Sequence, residues 1–372
     1  MEMPLTVSAQ TSVLQINWQT SGSLPAPTGQ TASIGVAGPV TGTFKGFLFV
    51  GGGANFPKGL PWEGGIKVYY DDLFLFIPDQ NGLPKSVHTF HLPEPLAYAA
   101  LCQTPMGIFV GGGENSKGIR SAAYLMGWDS RALRPFFSKL PDLPIPLTNA
   151  MAAFHNGTIL FAGGESAGAT YGRCFQLELQ KTEKGWKEVA SLPKPVSHAV
   201  LTYMDSGKEA GFVMAGGRRK NANGISTIYS SCYRFKPGAE KWEAMASMPF
   251  AAAAGTGLLL QKDQLLLIGG DKGETFSRVE TLLAAIALEK DPLVKEQLIA
   301  QKNQLQRNHP GFSQECLLFD LSRNGWSNAG IIPYVTPVTT TALHWNGKIL
   351  LPSGEIRAGV RTPLFLIGSY KP

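Results

Sequence analysis

Glu355 and Arg361 are the two side chains whose spacing most directly suggests chemistry. They stand six residues apart in the segment SGEIRAGVRT at 353–362, across a short turn that contains Gly359. Such a turn can fold back and bring a carboxylate and a guanidinium to the same place. Arginine grips a carboxylate through two parallel hydrogen bonds, and a positioned glutamate transfers protons. The pair therefore favours acid/base chemistry on a substrate that carries a carboxylate, with Glu355 catalytic and Arg361 binding.

A long loop, NFPKGLPWEGGIKVYYDDLFLF at 55–76, is the second candidate. It carries Glu63 and Lys67 on a stretch that is rich in glycine and aromatic residues. Sugars are commonly held by a flat aromatic face with polar hydrogen-bonding groups beside it. We predict that Glu63 and Lys67 bind substrate. A well-packed surface loop is the alternative.

The elements that must position these residues are visible as a repeat, an apolar run that ends in a glycine pair. The copies are FLFVGGG at 47–53, GIFVGGG at 107–113, TILFAGG at 158–164, FVMAGG at 212–217, LLLIGG at 265–270 and a degenerate ILLPSG at 349–354. In the middle of the chain the period is about 50 residues, the length of a Kelch repeat. We therefore predict an all-β fold, a six-bladed Kelch-type β-propeller, as a single domain over residues 1–372.

An apolar residue followed by proline ends each repeat unit. The pairs are Leu92–Pro93, Leu140–Pro141, Leu192–Pro193, Met248–Pro249 and Ile332–Pro333. The sixth stands near the start of the chain, as Leu24–Pro25 behind Trp18 in INWQTSGSLP. We predict that the N-terminal segment supplies the outermost strand of the last blade, because this closes the ring and leaves no sheet edge unpaired.

The loops that leave the glycine pairs should meet near the mouth of the central channel. Residues just after the pairs then form a natural binding constellation. They are Glu114, Glu165, Arg218, Asp271 and Glu355, with Ala54 and Asn55 in the first blade, where a glycine triplet leaves the register open by one residue. We predict that Glu114, Glu165 and Arg218 bind substrate. The alternative is that these charges only solvate exposed turns.

A helical insertion from about residue 271 to 315 separates the second and third strands of the fifth blade. One helix face should carry Phe276, Val279, Leu282, Leu283 and Ile286. Asp291 then provides an N-cap, and Pro292 a first-turn proline, for a second helix that runs to about Gln306. Because long insertions in compact folds are often functional, we predict a helical lid, with a packing elaboration on the rim as the alternative.

The charge pattern bears on possible partners. The formal net charge is +6, which can attract nucleic acid, but only Arg218, Arg219 and Lys220 form a run of three basic residues. We therefore expect a small anionic molecule as the partner, with no nucleic acid and no membrane, since no stretch approaches the apolar length of a membrane span. The sequence does not indicate an oligomeric state.

The opening segment MEMPLTVSAQTS has neither the basic nor the apolar region of a signal peptide. We expect a cytoplasmic protein if Met1 is the native start, and a periplasmic one if a signal peptide has been removed.

The four cysteines are predicted to be free, buried thiols. Cys174, Cys232 and Cys316 fall in the third strand of blades three, four and five, and Cys102 in an early strand of blade two. Equivalent positions in successive blades are too far apart for a disulfide. No spacing of cysteine or histidine resembles a zinc or copper site, so no metal and no cofactor is expected.

Both candidate loops resemble those of the sialic acid mutarotases, also called N-acetylneuraminate epimerases, which are Kelch propellers. Gly354–Glu355 followed by Gly359–Val360–Arg361–Thr362 is similar to the family's motif around its proposed catalytic glutamate. Glu63–Gly64 with Lys67 is similar to the family's long loop, and Lys220–Asn221 with Gly224 to a further loop, which implies that Asn221 binds substrate. The helical insertion is shared, and the resemblance spans essentially the whole chain.

The order of the loops departs from the family's usual arrangement. The Gly-Glu loop falls in the middle of the chain in most of the family and near the C-terminus here. The chain therefore resembles a cyclically permuted branch of the family. Moving the break between blades of a ring leaves every contact between blades in place.

The resemblance implies mutarotation of sialic acid. A base takes the proton of the anomeric hydroxyl, an acid protonates the ring oxygen, and the ring opens and recloses on its other face. Glu355 is then the base and Arg361 holds the carboxylate, while the acid is open among Lys67, Glu63 and a water. The rival interpretations are a non-catalytic Kelch propeller that binds a protein or carbohydrate partner, and a lyase or oxidase on the same scaffold.

Overall fold

Six antiparallel blades follow one another around a central channel in the computed structural model, which describes residues 14–370. This confirms the predicted six-bladed propeller. The segment on which the signal-peptide expectation rests lies outside the described residues. Neither helix of the described part of the chain combines the length and the apolar character that crossing a bilayer requires.

Each blade has four principal strands, ordered from the channel outward. Blade one consists of Ala37–Phe44, Phe47–Asn55, Asp72–Pro78 and Pro84–His91, blade two of Ala100–Thr104, Gly107–Gly111, Ala123–Asp129 and Arg134–Leu140, and blade three of Met151–His155, Thr158–Ala162, Cys174–Glu178 and Lys187–Val189. Blade four consists of Val200–Met204, Gly211–Ala215, Cys232–Phe235 and Glu243–Met245, blade five of Thr256–Gln261, Gln264–Ile268, Glu315–Asp320 and Gly325–Ile331, and blade six of Leu343–Trp345, Lys348–Pro352, Leu364–Tyr370 and Ile16–Ser23.

Most of the shorter elements lie in the loops between the second and third strands of the blades. Small hairpins pair Glu114–Asn115 with Gly118–Ile119, Glu165–Ser166 with Ala169–Thr170, Arg218–Arg219 with Thr227–Ile228 and Glu355–Arg357 with Val360–Arg361, and Val68–Tyr69 adds a fifth strand to blade one. The helices α1 (Glu274–Leu288) and α2 (Pro292–Arg307) lie between the second and third strands of blade five, as predicted. Single 3₁₀ turns occur at Pro61–Glu63, Thr182–Lys184 and Gly207–Glu209.

The last blade closes as predicted, with Ile16–Ser23 paired antiparallel to Leu364–Tyr370. Ile16 stands opposite Tyr370, so residues from the two ends of the described chain are neighbours in one sheet. Leu24, the apolar residue of the displaced Leu–Pro pair, is 2% exposed, and its N–H donates to the Pro363 carbonyl at 2.8 Å.

The core lies between blades rather than inside a single sheet. All five residues of the second strand of blade two are buried, because neighbouring blades cover both faces of the strand. Phe109 of this strand meets Phe161 of blade three edge-on, with ring centroids 6.5 Å apart. This packing explains why the repeated strands are continuous apolar runs instead of alternating patterns.

Tryptophans of the outer strands fasten successive blades to each other. The indole N–H of Trp186 donates to the Pro141 carbonyl at 2.9 Å, and that of Trp242 donates to the Ala190 carbonyl at 2.9 Å. In each case the acceptor lies at the outer edge of the preceding blade, so the outer rim is tied from blade to blade.

The glycine pairs mark where the backbone of one blade crosses that of the next. All twelve residues of the six pairs are in the left-handed region, including Ser353, which replaces the first glycine of the degenerate copy. A Cβ on Gly112 would lie 2.2 Å from the Leu147 carbonyl oxygen, and the Gly113 N–H donates to that same oxygen at 2.8 Å. The repeat therefore requires glycine for its conformation and for a close contact between backbones.

A closed circle of six backbone hydrogen bonds surrounds the channel, and we call it the axial ring. Each blade contributes one member. Gly38 lies in the innermost strand of blade one, and the others precede the innermost strands of blades two to six, namely Tyr98, Asn149, His198, Ala254 and Thr339. Each N–H donates to the carbonyl of the preceding member, and Gly38 donates to Thr339, at 2.7 to 3.0 Å. All six have left-handed φ values between 52° and 63°.

The prediction that the four cysteines are free thiols is confirmed, but the prediction that all four are buried is wrong for Cys102. All four cysteines are free, and Cys174, Cys232 and Cys316 are buried in third strands. Cys102 is only partly buried, because it lies on an innermost strand that borders the channel rather than between two sheets.

Gly38→Ala should destabilise the fold far more than a matched glycine substitution. The new Cβ would lie 2.4 Å from Tyr98 Cδ1 in a residue that also has a left-handed φ of 63°. We expect a loss of about 3 kcal/mol in unfolding free energy from strain and overpacking together. Gly347→Ala is the control, because Gly347 has a φ of 71° with nothing within 4 Å, and should cost about 1 kcal/mol. Thermal denaturation followed by circular dichroism measures the stability of both variants. Equal losses of unfolding free energy would show that the close packing of Gly38 in the axial ring does not stabilise the fold.

Candidate active site

The residues that follow the glycine pairs occupy equivalent positions, as predicted. Glu114, Glu165, Arg218, Asp271 and Glu355 form isolated backbone bridges to Ala97, Thr148, Ser197, Ala253 and Val338, respectively. Each of those partners stands directly before a member of the axial ring. In blade one the equivalent residue is Ala54, which pairs with Ala37. Five polar side chains are therefore placed around one mouth, directly above the axial ring.

Asn55, the other residue considered in blade one, has a structural role. Its amide nitrogen donates to the Gly35 carbonyl at 2.8 Å, and its amide oxygen accepts from the Tyr70 hydroxyl at 2.8 Å. The side chain is 2% exposed, so its polar atoms hold the base of the long loop.

Glu355 and Arg361 face each other across their hairpin, which confirms the predicted fold-back. The two residues are directly paired in the small sheet, and Arg361 Nη2 lies 3.6 Å from Glu355 Oε2. The other carboxylate oxygen, Oε1, accepts the Gly359 backbone N–H at 2.7 Å. Both oxygens of Glu355 are therefore oriented by the turn that carries it.

The blade-one loop packs directly on this hairpin. Gly359 has a φ of 71°, and a Cβ there would lie 2.8 Å from Pro61 Cδ and 3.3 Å from Trp62. The two loops singled out in the sequence are therefore in contact. Arg361 is also covered by blade one, since its guanidinium carbon lies 4.8 Å from the centroid of the Phe56 ring.

Arg361 is the most deeply buried charged group of the mouth. Its side chain is 4% exposed, and its Nε and Nη1 atoms have no hydrogen-bond partner among the described residues. An unpaired, buried guanidinium N–H carries a free-energy cost of about 1–3 kcal/mol or more. These two donors can be satisfied by an anionic acceptor such as a carboxylate.

Burial raises the pKa of Glu355 above its ordinary value. The positive charge of Arg361, the Gly359 N–H and Lys67 act in the opposite direction, and Asp271 adds to the increase. A glutamate with a raised pKa accepts and releases protons nearer to neutral pH, which suits a general base.

Lys67 lies on the blade-one side of the mouth within a small polar cluster. Its Nζ is 3.1 Å from Glu114 Oε1, which also accepts the Tyr69 hydroxyl at 2.8 Å. The same Nζ lies 5.3 Å from the centroid of the Tyr98 ring. The predicted residues Lys67 and Glu114 are therefore brought together, next to an axial-ring tyrosine.

Glu165 and Arg218 form a second cluster, on blades three and four. Arg218 Nη2 lies 3.3 Å from Glu165 Oε1, which also accepts the Ser197 hydroxyl at 2.6 Å. His198 Nδ1 is 3.0 Å from the same hydroxyl oxygen. This cluster joins two predicted residues to two that the sequence reading did not single out.

The helical insertion contacts loops on opposite sides of the mouth. Phe276 of α1 covers Arg218, with the guanidinium carbon 4.8 Å from the ring centroid, and Glu280 of α1 accepts the Ser226 N–H and hydroxyl at 2.6 and 2.9 Å. Arg307, the last residue of α2, lies 3.4 Å from Glu63 of the blade-one loop. The insertion therefore connects the loops of blades one and four, and its role as a lid stays a prediction.

Two predicted site residues are engaged elsewhere. The Glu63 carboxylate faces Arg307 and is 40% exposed. The Asn221 amide nitrogen donates to the Ile225 carbonyl at 2.8 Å and the Thr227 hydroxyl at 2.9 Å, within its own loop. Their contact with substrate stays a prediction. Within residues 14–370 no group of three or more His, Cys, Asp or Glu side chains is placed to hold a metal ion.

Tyr98, Ser197 and His198 are the site residues that sequence reasoning missed. Tyr98 and His198 line a cavity of about 170 Å³ on the channel axis. The available signal was their position, six residues after the apolar residues of the pairs Leu92–Pro93 and Leu192–Pro193. In these two blades the Leu–Pro pair thus indicates the residue that lines the cavity as well as the end of the repeat unit.

Comparison with known proteins gives a consistent assignment. The sequence profile of the N-acetylneuraminate epimerase family matches residues 140–371, which include Glu355 and Arg361. The N-acetylneuraminate epimerase of Salmonella typhimurium (strain LT2) is 24% identical over 229 residues, 61% of this chain and 57% of that protein. The one of Yersinia pestis (strain Pestoides F) is 27% identical over 230 residues, 61% of this chain and 56% of that protein.

The matched segments thus span a little over half the length of these relatives. The predicted cyclic permutation stays a prediction. With the profile match covering most of the chain, on a six-bladed propeller fold, the protein belongs to the N-acetylneuraminate epimerase family.

Proposed function

We propose that this protein accelerates the interconversion of the α and β anomers of N-acetylneuraminate by acid/base opening of the sugar ring. The observation that carries the proposal is the buried Glu355–Arg361 pair, in which the guanidinium keeps two unpartnered donors among the described residues. The family membership and the names of the two relatives support the choice of sugar.

In this proposal Arg361 binds the carboxylate of the sugar acid. The Phe56 ring and the hairpin fix the guanidinium, so little side-chain entropy is lost when the ligand arrives. A carboxylate at Nε and Nη1 would satisfy both donors in a water-poor site, where charge-assisted hydrogen bonds are strong. The anomeric carbon next to that carboxylate would then lie close to Glu355.

Glu355 acts as the general base in the proposed mechanism. It accepts the proton of the anomeric hydroxyl while the bond between the anomeric carbon and the ring oxygen breaks, and it returns the proton when the ring recloses on its other face. Its raised pKa fits this role, since a base whose pKa lies nearer to the working pH exchanges protons more effectively.

For the ring oxygen we propose Lys67 as the donor. Burial lowers the pKa of Lys67, but Tyr98 and Glu114 outweigh burial and raise it, so the ammonium group is protonated at neutral pH and is a weaker acid than a group whose pKa lies near that pH. Glu63, another acid considered, faces Arg307 in the structure. The non-catalytic binding alternative would leave the orientation of both Glu355 oxygens without a chemical purpose.

Glu355→Gln should remove most of the activity. We expect the enzyme-dependent rate to fall about 100-fold or more, because a positioned general base contributes about 10²–10⁴-fold. The assay releases the α anomer with a sialidase and follows its conversion to the β anomer by proton NMR. Glu183→Gln, at an exposed turn of blade three, is the matched control. Wild-type protein without any effect on the interconversion rate would refute the proposed enzyme activity. A fully active Glu355→Gln variant would place the base elsewhere.

The pH profile should report the environment of Glu355. Because the ionised form is the base and burial raises its pKa, kcat/KM should fall at acid pH with a midpoint above that of an ordinary glutamate. Arg361→Gln removes a charge that lowers this pKa, so the midpoint should move to higher pH. The same variant should raise KM about 10- to 100-fold through loss of a charged hydrogen bond. Rates measured after subtraction of the uncatalysed reaction test both effects, and an unchanged midpoint in Arg361→Gln would argue against the pairing.

A further inference from the structure

A second polar site lies at the mouth, separate from the Glu355–Arg361 pair. It consists of Glu165, Ser197, His198 and Arg218, and the proposed chemistry does not use it. Ser197 is fully buried, and its backbone pairs with that of Arg218. His198, the next residue, belongs to the axial ring with a left-handed φ of 55°. Its backbone hydrogen bonds to Asn149 and Ala254 hold it in this conformation.

Hydrogen bonding determines which ring nitrogen of His198 carries the proton. The Ser197 hydroxyl has a single proton, and at 2.6 Å from Glu165 Oε1 it donates that proton to the carboxylate. Its oxygen can therefore only accept from His198 Nδ1, 3.0 Å away. The carboxylate itself lies 3.7 Å from Nδ1, which also favours a proton there.

His198 is consequently a neutral ring with a bare Nε2. Burial, with the nearby Arg218 charge, holds the pKa of His198 well below its ordinary value, so a second proton is disfavoured. His198 is one of the residues that line the axial cavity. Its Nε2 is an acceptor for an N–H or O–H group of a bound molecule.

Arg218 supplies the complementary donor. Its Nη2 is engaged by Glu165, whereas its Nε is buried and has no partner among the described residues. Phe276 of α1 lies over the guanidinium at 4.8 Å, and Ala254 follows His198 in the axial ring. The site thus combines one acceptor, one donor and an adjoining apolar surface.

This combination matches a secondary amide. An acylamino group presents an N–H donor and a carbonyl acceptor on different atoms, followed by an apolar acyl carbon. A hydroxyl group on the same carbon has only one heavy atom with which to meet two protein residues. We infer that His198 and Arg218 form a subsite that recognises the acylamino group of the sugar acid, with His198 Nε2 accepting its N–H and Arg218 Nε donating to its carbonyl.

The position of this subsite fits a ligand that is held at both ends. His198 belongs to blade four, while Arg361 lies in blade six and leans toward Phe56 of blade one. Blade five and Asp271 lie between them. A sugar acid anchored by its carboxylate at Arg361 would extend across the mouth toward His198. The inference rests on the proposed function for the carboxylate end of the ligand.

The test compares two ligands that differ only in this group. They are N-acetylneuraminate and the same sugar acid with a hydroxyl in place of the acetamido group. His198→Asn deletes Nε2 and keeps a residue that tolerates a left-handed backbone. Arg218→Lys keeps the charge beside Glu165 and deletes the guanidinium donors. Arg219→Lys, on an exposed neighbour, is the control for charge and hairpin stability.

We expect each of the two subsite variants to lower kcat/KM for the acetamido sugar about tenfold, the effect of losing a hydrogen bond and leaving its partner unpaired. The hydroxyl sugar should lose no more than about threefold, and Arg219→Lys should change neither. Equal losses on both sugars, or no loss on the acetamido sugar, would overturn the inference.

Isothermal titration calorimetry of both sugars with the same proteins separates this inference from the proposed function. Binding that prefers the acetamido sugar and loses this preference in His198→Asn, without any mutarotation, would retain the subsite and refute the enzyme activity. Mutarotation with identical behaviour of the two sugars in all variants would retain the activity and refute the subsite. Binding of neither sugar would refute the subsite as well.

Discussion

The six hydrogen bonds of the axial ring are the constraint on which the rest of the structure depends. They join residues of all six blades in one closed circle, and each holds a left-handed backbone that costs a non-glycine residue roughly 1–2 kcal/mol. Only one of the six members is a glycine. The residues before the ring bridge to the residues after the glycine pairs, so the ring also sets where Glu355 and Arg218 stand.

Charge is distributed around the mouth in pairs. There are three such pairs, and their side chains are half-buried or buried. They are Lys67 with Glu114, Arg218 with Glu165 and Arg361 with Glu355. Such pairs contribute little to stability, because desolvation offsets their attraction. Both guanidinium groups, those of Arg218 and Arg361, nevertheless keep an unpartnered N–H among the described residues. The arrangement therefore makes better sense as a surface preorganised for a polar ligand than as a stabilising network.

The fold could be predicted almost completely from the sequence, because the same pattern of strand and glycine pair occurs in it six times. Glu355 and Arg361 were predictable because a turn with glycine joins them, so local geometry settles their contact. His198 and Tyr98 were harder to predict, since hydrogen bonds to other blades impose their left-handed backbone, and only their distance from the preceding Leu–Pro pair marks them in the sequence. The ion pair of Glu63 was not predictable from the sequence either, because its partner Arg307 lies 244 residues away in the helical insertion.

The closure of blade six ties the proposed site to a contact between distant parts of the chain. The strand Ile16–Ser23 pairs with Leu364–Tyr370, and the two strands lie at opposite ends of the described residues. Contacts of such large sequence separation form late in folding, since the chain must close a very long loop first. The hairpin of Glu355 and Arg361 precedes that last strand. The proposed catalytic pair would therefore gain its final support only when blade six closes, late in folding, and a chain without this closure would have folded blades but no finished site.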